Sequence, residues 1–284
     1  MPFINRNEPY IVDINHGLVA IFKPCGWHST LHRPGDISVP SWLFEHSDLL
    51  PSSELKDATC AAALRIQRTV VDDGQEPDRF QKELGMLYRL DRDTSGILLC
   101  ALKRSTMEDL QKAQDDMALK KRYMLVCTEM DHGLPGAVPK SRHTERERFL
   151  CDLSAGQEME VASYFRSYGP RGMRVACIAP EFVQRSKKKI ARTLYATRYL
   201  SVREAAEVAS PLPCLLPHAM LLQVEIQKGF RHQIRAHSTW MGLPIVGDTL
   251  YGGADSERLF LEAFSVVLYD GTRLAAEWKL YSGD

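Results

Sequence analysis

The sequence has no long apolar run, and this absence excludes the most common kind of membrane protein. No stretch approaches the roughly 20 consecutive apolar residues that cross a bilayer as a helix. The first residues, Met1 to Glu8, also lack the apolar core of a signal peptide. We therefore expect a protein of the cytoplasm that has no association with a membrane.

Paired cysteines are absent too. The seven cysteines are odd in number, widely spaced and never arranged as C-x-x-C. Neither a disulfide framework nor a zinc knuckle is predicted, and a reducing compartment is indicated. His28 and His32 stand four residues apart, but the nearby Gly26 and Pro34 disfavour the helix that would turn this spacing into a metal site. We expect no metal ion.

The chain has no excess of positive charge, because 36 Lys and Arg balance 36 Asp and Glu. Proteins that bind nucleic acids usually carry a basic excess. The cations are unevenly spread, however, and one run, from 185 to 203, contains no acid. Its members are Arg185, Lys187, Lys188, Lys189, Arg192, Arg198 and Arg203. A solvated surface is the usual meaning of such a run, and phosphate binding is the alternative.

The most informative stretch is Tyr88 to Leu99, where charged residues stand directly before an apolar segment. Gly96 to Leu102 is predicted to be an interior strand, and Asp91 to Ser95 form the polar turn that leads into it. A rigid strand positions reactive side chains well. Such polar residues also commonly bond the backbone of a tight turn, so the pattern alone leaves both roles open.

Four segments together resemble a known family. Arg89 to Gly96 resembles the R-L-D-x-x-T-S-G signature of the RluA family of RNA pseudouridine synthases. Lys23-Pro24-Cys25-Gly26 resembles the family's first turn, and Lys121-Arg122-Tyr123 resembles its Lys-x-Tyr element. The segment from Gly229 to Gly252 resembles the Gly-Arg-Thr-His-Gln-Ile-Arg-x-His motif and the Gly-Asp-x-x-Tyr-Gly ending.

The resemblance implies an α+β fold, with a mixed, largely antiparallel central sheet flanked by helices. It implies one catalytic domain over residues 1–284, in which the segment 131–217 is either an insertion or a long loop. No N-terminal S4 RNA-binding domain is expected, because few residues precede the strand at Leu18. We expect the protein to be a monomer.

The implied activity is the isomerisation of specific uridines in structured rRNA or tRNA to pseudouridine. The family's catalytic residues correspond to Asp91, Tyr123 and Arg235. Asp91 would act as a nucleophile or a base on a flipped-out uridine, and the residues do not decide between these roles. Tyr123 would stack on the base, and Arg235 would pair with Asp91. The reaction needs no cofactor.

Further residues are expected to bind the RNA substrate. Arg89 resembles the family residue that fills the space left by the extruded base. The complete set of substrate-binding candidates is Arg89, Lys23, His232, Gln233, Lys187, Lys188, Lys189 and Arg192. Two departures stand beside these positions. Tyr88 replaces the usual His, and Phe230-Arg231 stand where Arg-Thr is common.

Two other functions remain open from the sequence. Asp91-Arg92-Asp93 imitates the D-x-D start of phosphatases that use an aspartate nucleophile and Mg²⁺, and turnover without magnesium would remove that hypothesis. The second is an RNA-binding paralogue without catalytic activity. The presence of Asp91, Tyr123 and Arg235 favours catalysis, whereas RNA binding without isomerisation of any uridine would favour the paralogue.

Periodicity predicts most of the remaining elements. Helices are expected at 55–71, from Ser105 with a capping box at Ser105–Glu108, and at 232–241. Strands are expected at 18–22, 96–102, 123–127, 160–166, 173–178, 193–202, 220–226 and 265–269.

Overall fold

A computed structural model describes residues 3–30, 36–51, 53, 55, 57, 80, 83–129, 142–185, 190–205 and 218–281. The α-helices with described bounds are α1 (Val39–Glu45), α2 (Arg104–Asp115), α3 (Arg142–Ser154) and α4 (Gln233–Trp240). The strands are β1 (Tyr10–Asn15), β2 (Leu18–Lys23), β3 (Ser95–Ala101), β4 (Leu119–Cys127), β5 (Met159–Tyr168), β6 (Arg174–Ile178), β7 (Tyr195–Glu204), β8 (Met220–Ile226), β9 (Leu261–Asp270) and β10 (Arg273–Lys279). In the described ranges, no helix is long and apolar enough to cross a bilayer.

Contacts within the chain divide it into two compact units, each made of separate stretches. The first unit comprises Met1–Ile4 and Lys120–Glu262, and the second comprises Asn5–Leu119 and Ala263–Asp284. Antiparallel strand pairs and helices occur in both, which confirms the predicted α+β class. The prediction of a single catalytic domain over 1–284 stays a prediction.

The second unit is built on the antiparallel strands β1, β2 and β3. Every residue of β2 and β3 is buried, as expected of continuous apolar runs that are covered on both faces. Gly96 in β3 has a φ of +124°, and a Cβ at this position would collide with the backbone of Ala263 in β9. Gly96, the last residue of the motif that contains Asp91, is therefore required because β3 and β9 approach closely.

The first unit contains the strand order β4-β8-β7-β5-β6, and every neighbouring pair is antiparallel. Helix α4 is buried along its whole length. Its His237 accounts for part of this burial, because its ring bonds Ser163 of β5 at 2.9 Å and Thr197 of β7 at 2.8 Å. These bonds fix α4 against the strands and thereby position Arg235.

Most of the predicted elements are present, and the differences have identifiable causes. The capping box at Ser105 is wrong: α2 begins at Arg104, after an extended Lys103 that makes no side-chain cap bond. Helices α1 and α3 and strands β1 and β10 were not predicted; charged residues interrupt the apolar pattern of α3 and β10. The helix predicted at 55–71 lies almost wholly outside the described residues.

Candidate active site

The turn from Asp91 to Thr94 leads directly into β3 and presents Asp91 partly exposed. Thr94 N donates to Asp91 O at 3.1 Å, which closes the turn. Leu90 and Thr94 on either side are buried, whereas Arg89 is exposed. The carboxylate therefore stands at the mouth of a rigid strand, as the sequence predicted for this turn.

Lys23 is fully buried beside this turn, and its ammonium group is saturated by backbone oxygens. Its Nζ donates to the carbonyls of Pro24 at 3.0 Å, Trp27 at 2.8 Å and Arg92 at 2.9 Å. An ammonium group has three N–H donors, which match three acceptors. Lys23 thus joins the Lys-Pro turn to the Asp91 turn, and its direct contact with RNA stays a prediction.

Opposing effects act on the pKa of Lys23. Burial lowers the pKa of Lys23 to about 7, while electrostatic interactions with Cys25, Asp91 and Asp93 act to raise it. Attraction between the Lys23 ammonium and the carboxylate of Asp91 is part of this balance. The buried cation therefore supports the aspartate both through the backbone and through its charge.

Further bonds fix the same turn. Gly26 N donates to Arg92 O at 2.9 Å, and Arg92 Nε donates back to Gly26 O at 3.1 Å. Ser29 Oγ donates to Leu90 O at 2.8 Å and accepts from Leu90 N at 3.0 Å. The Asp91 backbone is consequently held on both sides, which is the preorganisation that a catalytic group requires.

Tyr88, which replaces the family's usual histidine, takes part in the same scaffold. Its side chain is buried, and its hydroxyl donates to Ile97 O of β3 at 2.8 Å. The substitution therefore places a buried aromatic side chain, bonded to the strand backbone, close behind the turn.

Arg235 lies in α4 and makes a buried bidentate pair with Asp248. Its Nε and Nη2 lie 2.7 Å and 2.6 Å from the two carboxylate oxygens. Asp248 also accepts from the backbone N–H groups of Leu250 and Tyr251, both at 3.2 Å. The guanidinium stands 5.3 Å from the centre of the Tyr251 ring. These contacts hold one edge of the Arg235 guanidinium in a fixed position.

The resemblance predicts a pair between Arg235 and Asp91, and the structure shows a buried bidentate pair with Asp248 that was not predicted. Asp248 is the partner, and the pair uses two of the five N–H donors of Arg235. Asp248 is the only acid between 229 and 252, which is the signal that could have identified it. Asp91 and Arg235 belong to different units, and a pair between them stays a prediction.

His232 stands at the start of α4 in the left-handed region, with a φ of 56°. Its Nδ1 lies 3.1 Å from the hydroxyl of Tyr251, which accepts from Val175 N at 2.8 Å. Burial, together with the charges of Arg235 and Arg231, lowers the pKa of His232 to about 3. The ring is therefore neutral near pH 7, and its Nδ1 shares a hydrogen bond with the tyrosine hydroxyl.

Gln233 supports the same helix start. Its side-chain oxygen accepts from Phe230 N at 2.9 Å, and its amide donates to Ala196 O at 2.8 Å and Thr197 Oγ1 at 3.2 Å. These contacts use the side chain to join α4 to β7. For Gln233 and His232, direct contact with RNA stays a prediction.

Tyr123 lies in β4, buried and opposite Val224 of β8. Lys121, two residues earlier and on the same face, is also buried, and burial lowers the pKa of Lys121 to about 8. Its neighbours Lys120 and Arg122 pair with Glu225 of β8 at 3.4 Å and 3.1 Å. The cations that precede Tyr123 are therefore engaged within the protein.

The remaining candidates are only partly described. Arg192 is exposed before β7, and Lys187, Lys188 and Lys189 lie outside the described residues. The structure brings Lys23 together with the Asp91 turn in the second unit. It brings Arg235, His232 and Gln233 together around the start of α4 in the first unit, which also contains Tyr123.

Comparison with known proteins identifies the family. A family model described as RNA pseudouridylate synthase matches residues 18–240, most of the chain. The chain belongs to this family. The matched range contains Asp91, Tyr123 and Arg235, and the resemblance to the RluA group is confirmed.

Individual relatives agree. The chain is 27% identical over 192 residues to an uncharacterized RNA pseudouridine synthase of Helicobacter pylori, covering 66% of this chain and 60% of the relative. It is 24% identical over 255 residues to tRNA pseudouridine synthase C of Vibrio cholerae, covering 87% and 76%. The chain therefore spans less than two thirds of the first relative's length.

A solved structure supports the fold. Human RNA pseudouridylate synthase domain containing 1 superposes with a TM-score of 0.52 at 15% identity, covering 98% of this chain and 84% of that chain. At this identity, the likeness concerns the fold alone.

Proposed function

We propose that the protein isomerises specific uridines in structured rRNA or tRNA to pseudouridine, with Asp91 as the residue that reacts with the flipped-out nucleotide. One observation carries this assignment: Asp91 is partly exposed on a turn whose backbone is bonded by Lys23, Gly26 and Ser29. A side chain that only stabilised the turn would not need this separate support. We also propose that it acts as a monomer in the cytoplasm.

The reaction is an isomerisation, so no atoms are gained or lost. The bond between ribose C1′ and base N1 breaks, the base rotates, and a bond from C1′ to C5 forms. One proton leaves C5 and one is taken up at N1. Asp91 assists either by attacking C1′ as a nucleophile or by accepting a proton from the sugar as the first bond breaks.

Other side chains have separate tasks in this proposal. Arg89 is exposed two residues before Asp91, and it occupies the gap that the extruded uridine leaves in the RNA. Tyr123 offers an aromatic ring to the flipped base. Arg235, held in place by Asp248, completes the proposed catalytic set.

A map of pseudouridines tests the proposal and names the substrate. RNA from cells that lack the protein is compared with RNA from the same cells rescued by the wild type or by Asp91→Asn. We expect specific positions to lose pseudouridine and to recover it only with the wild type. Full rescue by Asp91→Asn would overturn the assignment, and RNA binding with no lost position would favour the paralogue without catalytic activity.

A further inference from the structure

Three segments of the first unit, 169–175, 190–196 and 228–233, lie against one another. The guanidinium of Arg231 donates through Nη2 to Gly172 O in the turn between β5 and β6, and it lies 3.5 Å from Arg174 O. Phe230 stacks on Phe165 with ring centres 4.9 Å apart and an interplanar angle of 8°. Ala191 N donates to Phe165 O at 2.8 Å, which brings the third segment to the same place.

These segments contain five cations and no acid. We call the five side chains the basic surface. All of them are exposed: Arg171, Arg174, Arg192, Lys228 and Arg231. Because the whole chain is neutral, a contiguous group without any carboxylate is a marked local excess of charge.

The pairing of cations elsewhere in the unit makes the basic surface distinctive. Arg198 pairs with Glu158, and Lys120 pairs with Glu225. Within the part of the chain that the structure describes, no member of the basic surface forms an ion pair with a carboxylate. These guanidinium and ammonium groups are therefore available to a ligand with negative charges, such as phosphate.

The basic surface is connected to the start of α4 by fixed contacts. Tyr251 accepts from Val175 N, the residue after Arg174, and its hydroxyl contacts His232. The same tyrosine ring lies beside Arg235. The turn with Arg171 and Arg174 is thus held in one position relative to Arg235.

The contacts of Phe230 and Arg231 show the structural consequence of their departure from the family motif. Phe230 places an apolar ring on Phe165, and the arginine stands one residue later, where it reaches the turn between β5 and β6. This chain therefore places its cation against that turn, where the family commonly has Arg-Thr.

We propose that the basic surface binds the phosphate backbone of the RNA strand that flanks the target uridine. This inference rests on the proposed function, because it takes RNA as the ligand. Phosphate contacts of this kind fix the register of a nucleic acid without reading its sequence. The basic surface would therefore fix the register of the RNA on the protein, and it would not determine which base is selected.

Removing three of the charges tests the proposal. The triple variant R171Q/R174Q/K228Q leaves Arg231 and its bond to Gly172 intact. The control K103Q/K112Q/R273Q removes the same charge from exposed positions of the second unit. Binding of labelled RNA from cells that lack the protein is measured across salt concentrations, and thermal unfolding verifies that both variants are folded.

We expect the basic-surface variant to lose roughly tenfold or more in affinity, and the slope of log K against log salt to fall by about 2, at 0.7 per single-strand phosphate. The control should match the wild type. Equal affinities and slopes in all three proteins, or equal losses in both variants, would overturn the inference.

The basic-surface inference and the proposed function can fail independently of each other. Asp91→Asn is measured in the same binding assay and should bind RNA like the wild type. If the wild type forms no pseudouridine, the proposed function fails while the comparison of salt slopes still stands. If the wild type is active and the basic-surface variant binds RNA as the wild type does, only the inference fails.

Discussion

The two units hold their candidate functional side chains in different ways. Asp91 is positioned through its backbone, by bonds from Lys23 and Ser29, and its carboxylate stays partly exposed. Arg235 is positioned through its side chain, which a buried carboxylate holds at 2.6 Å and 2.7 Å. The difference is that the Asp91 turn is fixed through its backbone, whereas the Arg235 guanidinium is fixed by a buried counter-charge.

The Arg235–Asp248 pair should give the largest effect on stability. Asp248→Asn would leave a buried guanidinium without its counter-charge, and breaking a buried pair in this way destabilises proteins by about 3–5 kcal/mol. Chemical denaturation measures the free energy of unfolding. The exposed pair Arg198–Glu158 is the control, because Glu158→Gln should cost less than about 1 kcal/mol. Equal losses in the two variants would contradict the account.

Lys23 should give the next largest effect. Lys23→Met keeps an apolar side chain of similar length but removes the Lys23 donor from the carbonyls of Pro24 and Trp27, whereas Arg92 O keeps its bond from Gly26 N. Unsatisfied buried groups cost about 1–3 kcal/mol each, partly relieved by relaxation of the turn. We expect reduced stability and a larger loss of pseudouridine formation than with the exposed control Lys103→Met. Unchanged activity in Lys23→Met would contradict its supporting role.

The pH dependence of the same variant sharpens the test. The pKa of Lys23 is about 7 in the folded protein and near 10.5 when unfolded, so the unfolded state binds the extra proton between these values. Stability contributed through Lys23 therefore rises with pH in that window, by about 1.4 kcal/mol per unit. The difference in unfolding free energy between wild type and Lys23→Met should show this slope, and a flat difference would contradict the burial of the amine.

His237 predicts a slope of the same sign at acid pH. Burial lowers the pKa of His237 to about 3, below the unfolded value of 6.5, so the unfolded state takes up the proton first. Its contribution is present above pH 6.5 and is lost as the pH falls towards 3, at about 1.4 kcal/mol per unit. The slope of the unfolding free energy against pH should be smaller in His237→Gln than in the wild type. It should be unchanged in the exposed control His218→Gln. Equal slopes in both variants would count against a neutral His237.

Much of the fold was predictable, because its central strands are continuous apolar runs. β2 and β3 were predicted for this reason, β8 was predicted from a partly alternating pattern of apolar and polar residues, and the bounds of all three agree to within one position. β10 was not predicted, because Arg273 and Glu277 interrupt its apolar pattern. Its strand conformation depends on pairing with β9. The helix α3 begins in a strongly charged stretch that periodicity alone does not distinguish from a loop.

The site was predictable only where a motif marked it. Asp91 and Arg235 stand in recognisable motifs, but the sequence does not state which carboxylate an arginine meets, and Asp248 was missed as its partner. Lys23 was expected near the substrate, whereas its ammonium group is turned to three backbone carbonyls. Such roles depend on the direction of a side chain, which spacing along the chain does not determine.

The most direct test of the central claim compares two neighbouring aspartates in the purified protein. RNA that lacks the modification is incubated with the wild type, Asp91→Asn or Asp93→Asn, and its pseudouridine content is measured by mass spectrometry. Asp93 is exposed on the same turn, so it controls for loss of charge there. We predict that Asp91→Asn forms no pseudouridine and that Asp93→Asn remains active. Pseudouridine formation by Asp91→Asn at the rate of the wild type would contradict the account.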